Sequence, residues 1–130
     1  MLLLDTHIWH WWVNQIPEKL PHNIKELIAE SEAVAVSAIS CFEMAWLVRH
    51  GRIAMHMSFE DWLNEVEATS DIQIVPVNAQ IATQAVMLPE HHKDPQDRII
   101  IATALYYNAQ LISFDNVFSK YAEVDGYLIN

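Results

Sequence analysis

Apolar residues along this chain follow two rhythms that alternate from one end to the other. Short unbroken runs, such as LLL after Met1, AVAV and LISF, are separated by longer stretches in which apolar side chains return every three or four residues. The first rhythm suits strands buried on both faces, and the second suits amphipathic helices. Strands are predicted over 2–5, 33–36, 72–75 and 111–114, with GYLI at 126–129 as a fifth. The first helix covers the aromatic stretch Thr6 to Val13. The second runs from about His22 to Glu30, with Ile24, Leu27 and Ile28 on one face, and Pro17 and Pro21 bracket the connection to it.

Further along, SAISCFEMAWLVRHG predicts a helix that ends with Gly51 as its C′ residue. SFEDWLNEVEA predicts another, capped by Ser58, with Phe59, Trp62, Leu63 and Val66 on one face. NAQIATQAVML gives a further helix. In DPQDRIIIATALYYNA the triple isoleucine would suit a strand, but Asp94 as N-cap, Pro95 at the first helical position and the length of the segment favour a helix. This alternation of strands with helices implies an α/β fold, a three-layer α/β/α arrangement around a mostly parallel sheet of about five strands. No repeat, linker or compositional break divides the chain, so 1–130 reads as one domain.

Composition narrows the function more than the fold. The opening MLLLD lacks a basic segment and reaches a charge after three leucines, so neither a signal peptide nor a membrane span is expected, and the cytoplasm is the expected compartment. A single cysteine, Cys41, leaves no material for an internal disulfide framework or a clustered thiolate zinc site. Glycine occurs only at Gly51 and Gly126, which excludes a glycine-rich phosphate cradle. A net charge of −10 opposes simple adhesion to nucleic acid or anionic membrane, so phosphate chemistry would need added cations.

In open α/β sheets, ligands bind beyond the carboxyl ends of the strands. Four acids stand there: Asp5 after LLL, Glu43 in the first turn of the helix after AVAV, Asp97 in the first turn of the DPQD helix, and Asp115 after LISF. Each has a local explanation. Asp5 can cap the helix from Thr6, Glu43 can complete a capping box with Ser40, Asp97 sits at N3 after Asp94, and Asp115 can cap a turn at NVFSK. Capping does not explain why one sheet edge collects several acids with few bases. Their repulsion costs stability unless a cation is bound, and hard oxygen donors without thiolates suit Mg²⁺ or Mn²⁺ better than zinc. Phosphodiester hydrolysis by an activated water is the chemistry such a site serves. His91 and His92 have no convincing zinc-ligand spacing with His7, His10 or His56, and none of these histidines is expected to bind metal.

Taken in order, LLLDTHIW, VSAISCFEMAWLVRHGRI, LPEHHKDPQDRIIIATAL and LISFD resemble the PIN domain family, and within it the VapC-type toxin ribonucleases of type II toxin–antitoxin pairs. The resemblance runs from the first strand to about Tyr121. It implies a five-stranded parallel sheet, a metal-dependent ribonuclease, a cognate antitoxin and a homodimer. By motif position, Asp5, Glu43, Asp97 and Asp115 match the family's acidic quartet, and Asp94 is a further candidate as an outer ligand. Thr6 and Ser113 stand beside Asp5 and Asp115, where their hydroxyls could bond carboxylates or metal waters, or simply serve local turns. His91, His92, Lys93 and Arg98 form the densest cationic segment. They read either as a solvated loop or as contacts for RNA phosphate, with Lys93 and Arg98 joining Thr6 and Ser113 as the substrate-side candidates and Arg98 able to stabilise transition-state charge. Trp9 and Trp12 share a helix face suited to the core, while Trp11 points elsewhere and is free for a base or a partner. Arg49, His50 and Arg52 are most simply partners of a helix C-terminus. Two other functions fit the same residues: a nuclease acting on DNA or in RNA processing, and a non-catalytic protein-binding module.

Overall fold

The computed structural model describes residues 1–91 and 93–130, Pro17 by its backbone alone. The predicted alternation is present: β1 (Leu2–Leu4), α1 (Thr6–Val13), α2 (His22–Glu30), β2 (Val34–Ser37), α3 (Ala38–Arg49), α4 (Phe59–Thr69), β3 (Gln73–Val75), α5 (Ala79–Met87), α6 (Pro95–Tyr107), β4 (Gln110–Ile112) and β5 (Leu128–Ile129). All strand pairs are parallel, in the order β3-β2-β1-β4-β5. The chain therefore builds outward from β1 on one side and later returns to build on the other. The carboxyl ends of β1 and β4 become neighbours at the switch point, where a crevice opens in sheets of this kind.

Side chains alternate across the strands and sort the core into two layers. Leu3, in register with Ala35 and Leu111, faces α5 and α6, where it meets Ile81, Ile100 and Ile101. Leu2, Leu4, Val36 and Ile112 face the opposite side, against Ile8 and Trp9 of α1, Met44 of α3 and Trp62 of α4. The result is the expected α/β/α sandwich. Helix α6 shows why a triple isoleucine can be helical: Ile100, Ile101, Ala102, Thr103 and Ala104 are all 0% exposed, because this helix is enclosed on more than one side. Asp94 caps it by accepting from the Gln96 N–H at 3.0 Å, Pro95 opens it, and Asn108 in the left-handed region (φ 53°) closes it.

Strand ends differ from the predicted bounds by one or two residues, since side chains rather than ladder bonds take over there. Asp5 still donates its N–H to Ile112 at 3.0 Å, but its carboxylate turns away to cap α1. One cap differs in kind. Helix α3 is capped by Ser37, whose hydroxyl accepts from the Ile39 N–H at 3.2 Å, so the Ser40–Glu43 capping box does not form and Glu43 lies in the second turn. Ser40 is instead fully buried within the helix. At the other end, Gly51 (φ 71°) donates to Val48 and Arg52 donates to Leu47, the paired bonds of a glycine-terminated helix. Among the described residues, no helix is long and apolar enough to cross a membrane.

Leu3 lies at the centre of the middle strand. Leu3→Ala should lower stability by about 2–5 kcal/mol, read as a reduced urea midpoint with an unchanged slope.

Candidate metal centre and cleft

The crevice at the switch point is a cleft of about 460 Å³ whose acidic floor comprises Asp5, Glu43, Asp94, Asp97 and Asp115. Each acid arrives on a different support. Asp5 leaves β1 and is held by both oxygens: Oδ1 accepts from the Thr6 N–H and Oδ2 from the Ser113 hydroxyl, each at 2.8 Å. Glu43 projects from the second turn of α3 and accepts from the Thr6 hydroxyl at 2.7 Å, while that hydroxyl lies 2.9 Å from Ser40 Oγ. Asp94 and Asp97 occupy the N-cap and N3 positions of α6. Asp115 begins the turn after β4, where its Oδ1 accepts from the Val117 N–H at 2.9 Å and its own N–H donates to Ser113 Oγ at 3.1 Å. One carboxylate oxygen each from Glu43, Asp94 and Asp97 falls within a span of 4.8 Å.

So close a grouping makes ionisation costly. Burial raises the Asp97 pKa from its ordinary 3.8 to about 8, and Asp5, Asp94, Glu43 and Asp115 push it the same way. Burial also raises Glu43, against the Thr6 hydrogen bond that favours its charged form, and Asp5 and Asp94 add to the rise. Asp5 is raised by burial too, although Ser113, the Thr6 amide and the nearby His7 all oppose it. A divalent cation removes this conflict. Three convergent hard oxygens with no sulfur or imidazole in the group fit such an ion.

Thr6 and Ser113 do orient carboxylates, and at 1% and 0% exposure they are sealed from a substrate. Arg98 departs from the phosphate-binding expectation. Its guanidinium donates to the carbonyls of Val86 (3.0 Å), Leu88 (2.7 Å) and Pro89 (2.8 Å), so it clamps the end of α5 to the first turn of α6. A buried guanidinium needs several acceptors, and a helix C-terminus supplies them. Lys93 is exposed beside Val86 and Glu90 in a separate hollow, and His91 rests edge-on against Tyr121 at 4.9 Å. His92 lies outside the described residues.

One wall of the cleft adds residues beyond the acids: Trp11, expected from the sequence to be free for a base or a partner, together with His7, Ile8 and Phe114, which were not expected there. The signal was present in helical spacing. His7 and Trp11 are four apart and Ile8 and Trp11 three apart on α1, while Trp9 faces the core at 0% exposure. Phe114 was read as the last residue of a strand. It stands between Ser113 and Asp115, both of which belong to the acidic floor or its supports.

A parallel five-stranded sheet with an acid cluster at its switch point is the arrangement found here, and residues 2–124 match the PIN domain family, to which the chain belongs. It is similar to Ribonuclease VapC22 of Mycobacterium tuberculosis (strain ATCC 25618 / H37Rv), with 34% identity over 115 residues that cover 88% of this chain and 86% of the relative. Two solved structures share the fold. A chain of VapBC2 from Rickettsia felis bound to a promoter DNA fragment superposes with a TM-score of 0.72 and 20% identity, covering 99% of this chain and 97% of that one. A chain of FitAcB from Neisseria gonorrhoeae gives 0.64 and 20% identity, covering 100% and 97%.

The raised Asp97 pKa fixes a sign. Its proton stabilises the folded chain at low pH, and that contribution is lost as pH rises through about 8. In EDTA, the Tm contribution of this site should fall between about pH 4 and 8, from the ordinary carboxyl pKa to the raised one, and Asp97→Asn should flatten that fall. The Tm gain from added Mg²⁺ or Mn²⁺ should grow over the same interval, because metal and proton compete for the same oxygens. Separately, Arg98→Ala leaves carbonyls unpaired and should cost on the order of 3 kcal/mol, with faster amide exchange over residues 88–91.

Proposed function

We propose that this chain is a metal-dependent endoribonuclease, the toxin of a type II toxin–antitoxin pair, acting in the cytoplasm. The observation that carries the reading is the meeting of the Glu43, Asp94 and Asp97 oxygens within 4.8 Å at the sheet switch point of a PIN domain chain. Similarity to Ribonuclease VapC22 supports RNA as the substrate.

Asp5, Glu43, Asp97 and Asp115 are the catalytic residues in this reading, and Asp94 joins them as a ligand because it stands inside the cluster. When bound, Mg²⁺ or Mn²⁺ would lower the pKa of the attacking water and neutralise charge on the phosphodiester. The protein's own contribution is preorganisation. Ser113 and the Thr6 amide fix both oxygens of Asp5, the Thr6 hydroxyl fixes Glu43, and the first turn of α6 fixes Asp94 and Asp97. Water adds to phosphorus and one P–O bond breaks, leaving a phosphate end and a hydroxyl end.

Two surfaces suit the partners this reading requires. Phe42 and Trp46, one turn apart on α3, are 58% and 44% exposed, and an antitoxin is the partner assigned to them. VapBC and FitAcB complexes among the structures of this fold support a protein partner. Val86 and Met87 at the end of α5 are 74% and 77% exposed and suit a second copy of the chain in a homodimer.

Purified protein should cleave RNA when Mg²⁺ is supplied and stop when EDTA is added. Asp5→Asn and Asp97→Asn should each reduce cleavage by about 100-fold or more. Full activity in both variants would remove the site assignment, and faster cleavage of DNA than of RNA would remove the substrate assignment.

A further inference from the structure

Affinity for an RNA strand needs a source, and the usual one is missing here. Among the described residues lining the cleft there is no Lys or Arg, and the chain as a whole carries −10. Phosphate pairing with basic side chains, which dominates binding by most nucleic-acid proteins, has little to work with. The acidic floor repels the backbone until a cation is bound. A remaining source of binding energy is the face of a base, which carries no charge.

The wall offers a surface for it. Trp11 and Phe114 lie nearly parallel, with centroids 6.3 Å apart and planes 30° from one another, and His7 leans on Trp11 at 5.9 Å. Both large rings are half-buried, so they are fixed by packing on the α1 side of the sheet and still reach the cleft. Their mounting is tied to the acids. Trp11 belongs to the helix that Asp5 caps, and Phe114 is flanked by Ser113, which bonds Asp5, and by Asp115.

We propose that the His7, Trp11 and Phe114 wall is a stacking subsite for one unpaired nucleobase of the strand whose phosphodiester lies over the carboxylates. The inference rests on the ribonuclease reading for the identity of the strand. A base inside a duplex has both faces covered by its neighbours, so the subsite discriminates against paired RNA without reading sequence. Stacking is tolerant of base identity because every base has a π-face. With few counterions released by basic side chains, binding should also depend weakly on salt.

The test measures anisotropy of a labelled, unstructured oligoribonucleotide and of the same sequence as a duplex, with Mn²⁺ present, while cleavage is followed in the same samples. Wild type should bind the single strand at least tenfold more tightly than the duplex. Trp11→Ala should weaken single-strand binding by about tenfold or more, and Trp11→Phe should restore it to within about threefold. Phe114→Leu, which keeps apolar bulk but removes the ring face, should reproduce the loss and covers the case in which Trp11→Ala does not fold. The metal-induced rise in Tm should be the same in all the folded proteins, which separates loss of the wall from damage to the acidic floor. Equal single-strand affinity in wild type, Trp11→Ala and Phe114→Leu overturns the subsite, whatever the cleavage rates. Ring-dependent binding without any cleavage by wild type keeps the subsite and overturns the ribonuclease reading instead.

Discussion

Carboxylates crowded against one another are the constraint around which this molecule is arranged. Left to themselves, Asp5, Glu43, Asp94, Asp97 and Asp115 would spread apart, and burial together with the neighbouring acids raises the Asp97 pKa to about 8. The restraint comes from the parallel ladder and from helix starts. β1 and β4 are locked side by side with Leu3 and Leu111 in register, so the residues that follow them cannot separate. Helices α3 and α6 bring their acids inward from opposite layers of the sandwich.

Support of the floor is polar where it must be and apolar everywhere else. Thr6, Ser40 and Ser113 are almost wholly buried: Thr6 bonds Glu43, Ser113 bonds Asp5, and Ser40 accepts from the Thr6 hydroxyl. Burying three hydroxyls unpaired would be expensive. Paired, they hold the carboxylates of Asp5 and Glu43 in place. Arg98 acts at one remove: by fastening the end of α5 to the start of α6, it limits the freedom of the connection that delivers Asp94.

Periodicity made most of the fold legible, because the short apolar runs and the amphipathic stretches differ in length as well as in rhythm. Asp94 and Pro95 correctly marked IIIATA as a helix, and Gly51 marked the end of α3. Ser40 misled because two serines stand three residues apart at the start of the same helix, and only tertiary contact with Thr6 reveals that the second is internal. Convergence of the acids could be anticipated from the direction of parallel strands. The destination of Arg98 could not, since a cation beside an acid in sequence looks like a phosphate ligand until the neighbouring helix end is in view. The aromatic wall was half visible: spacing released Trp11 from the core, but nothing local announced that Phe114 would meet it.

Helix α1 carries two unlike duties within its first two turns. Its cap is a floor carboxylate, and Trp11 on its outer side is part of the wall. The distance between floor and wall is therefore set by the pitch of a single helix and not by the packing of two independent parts. A sequence drifting at this helix cannot widen the cleft without also tilting Asp5, so the shape of the wall and the placement of that acid are inherited together. Variation in the shape of the cleft has a freer route at the other member of the same wall, since Phe114 follows β4 outside any helix.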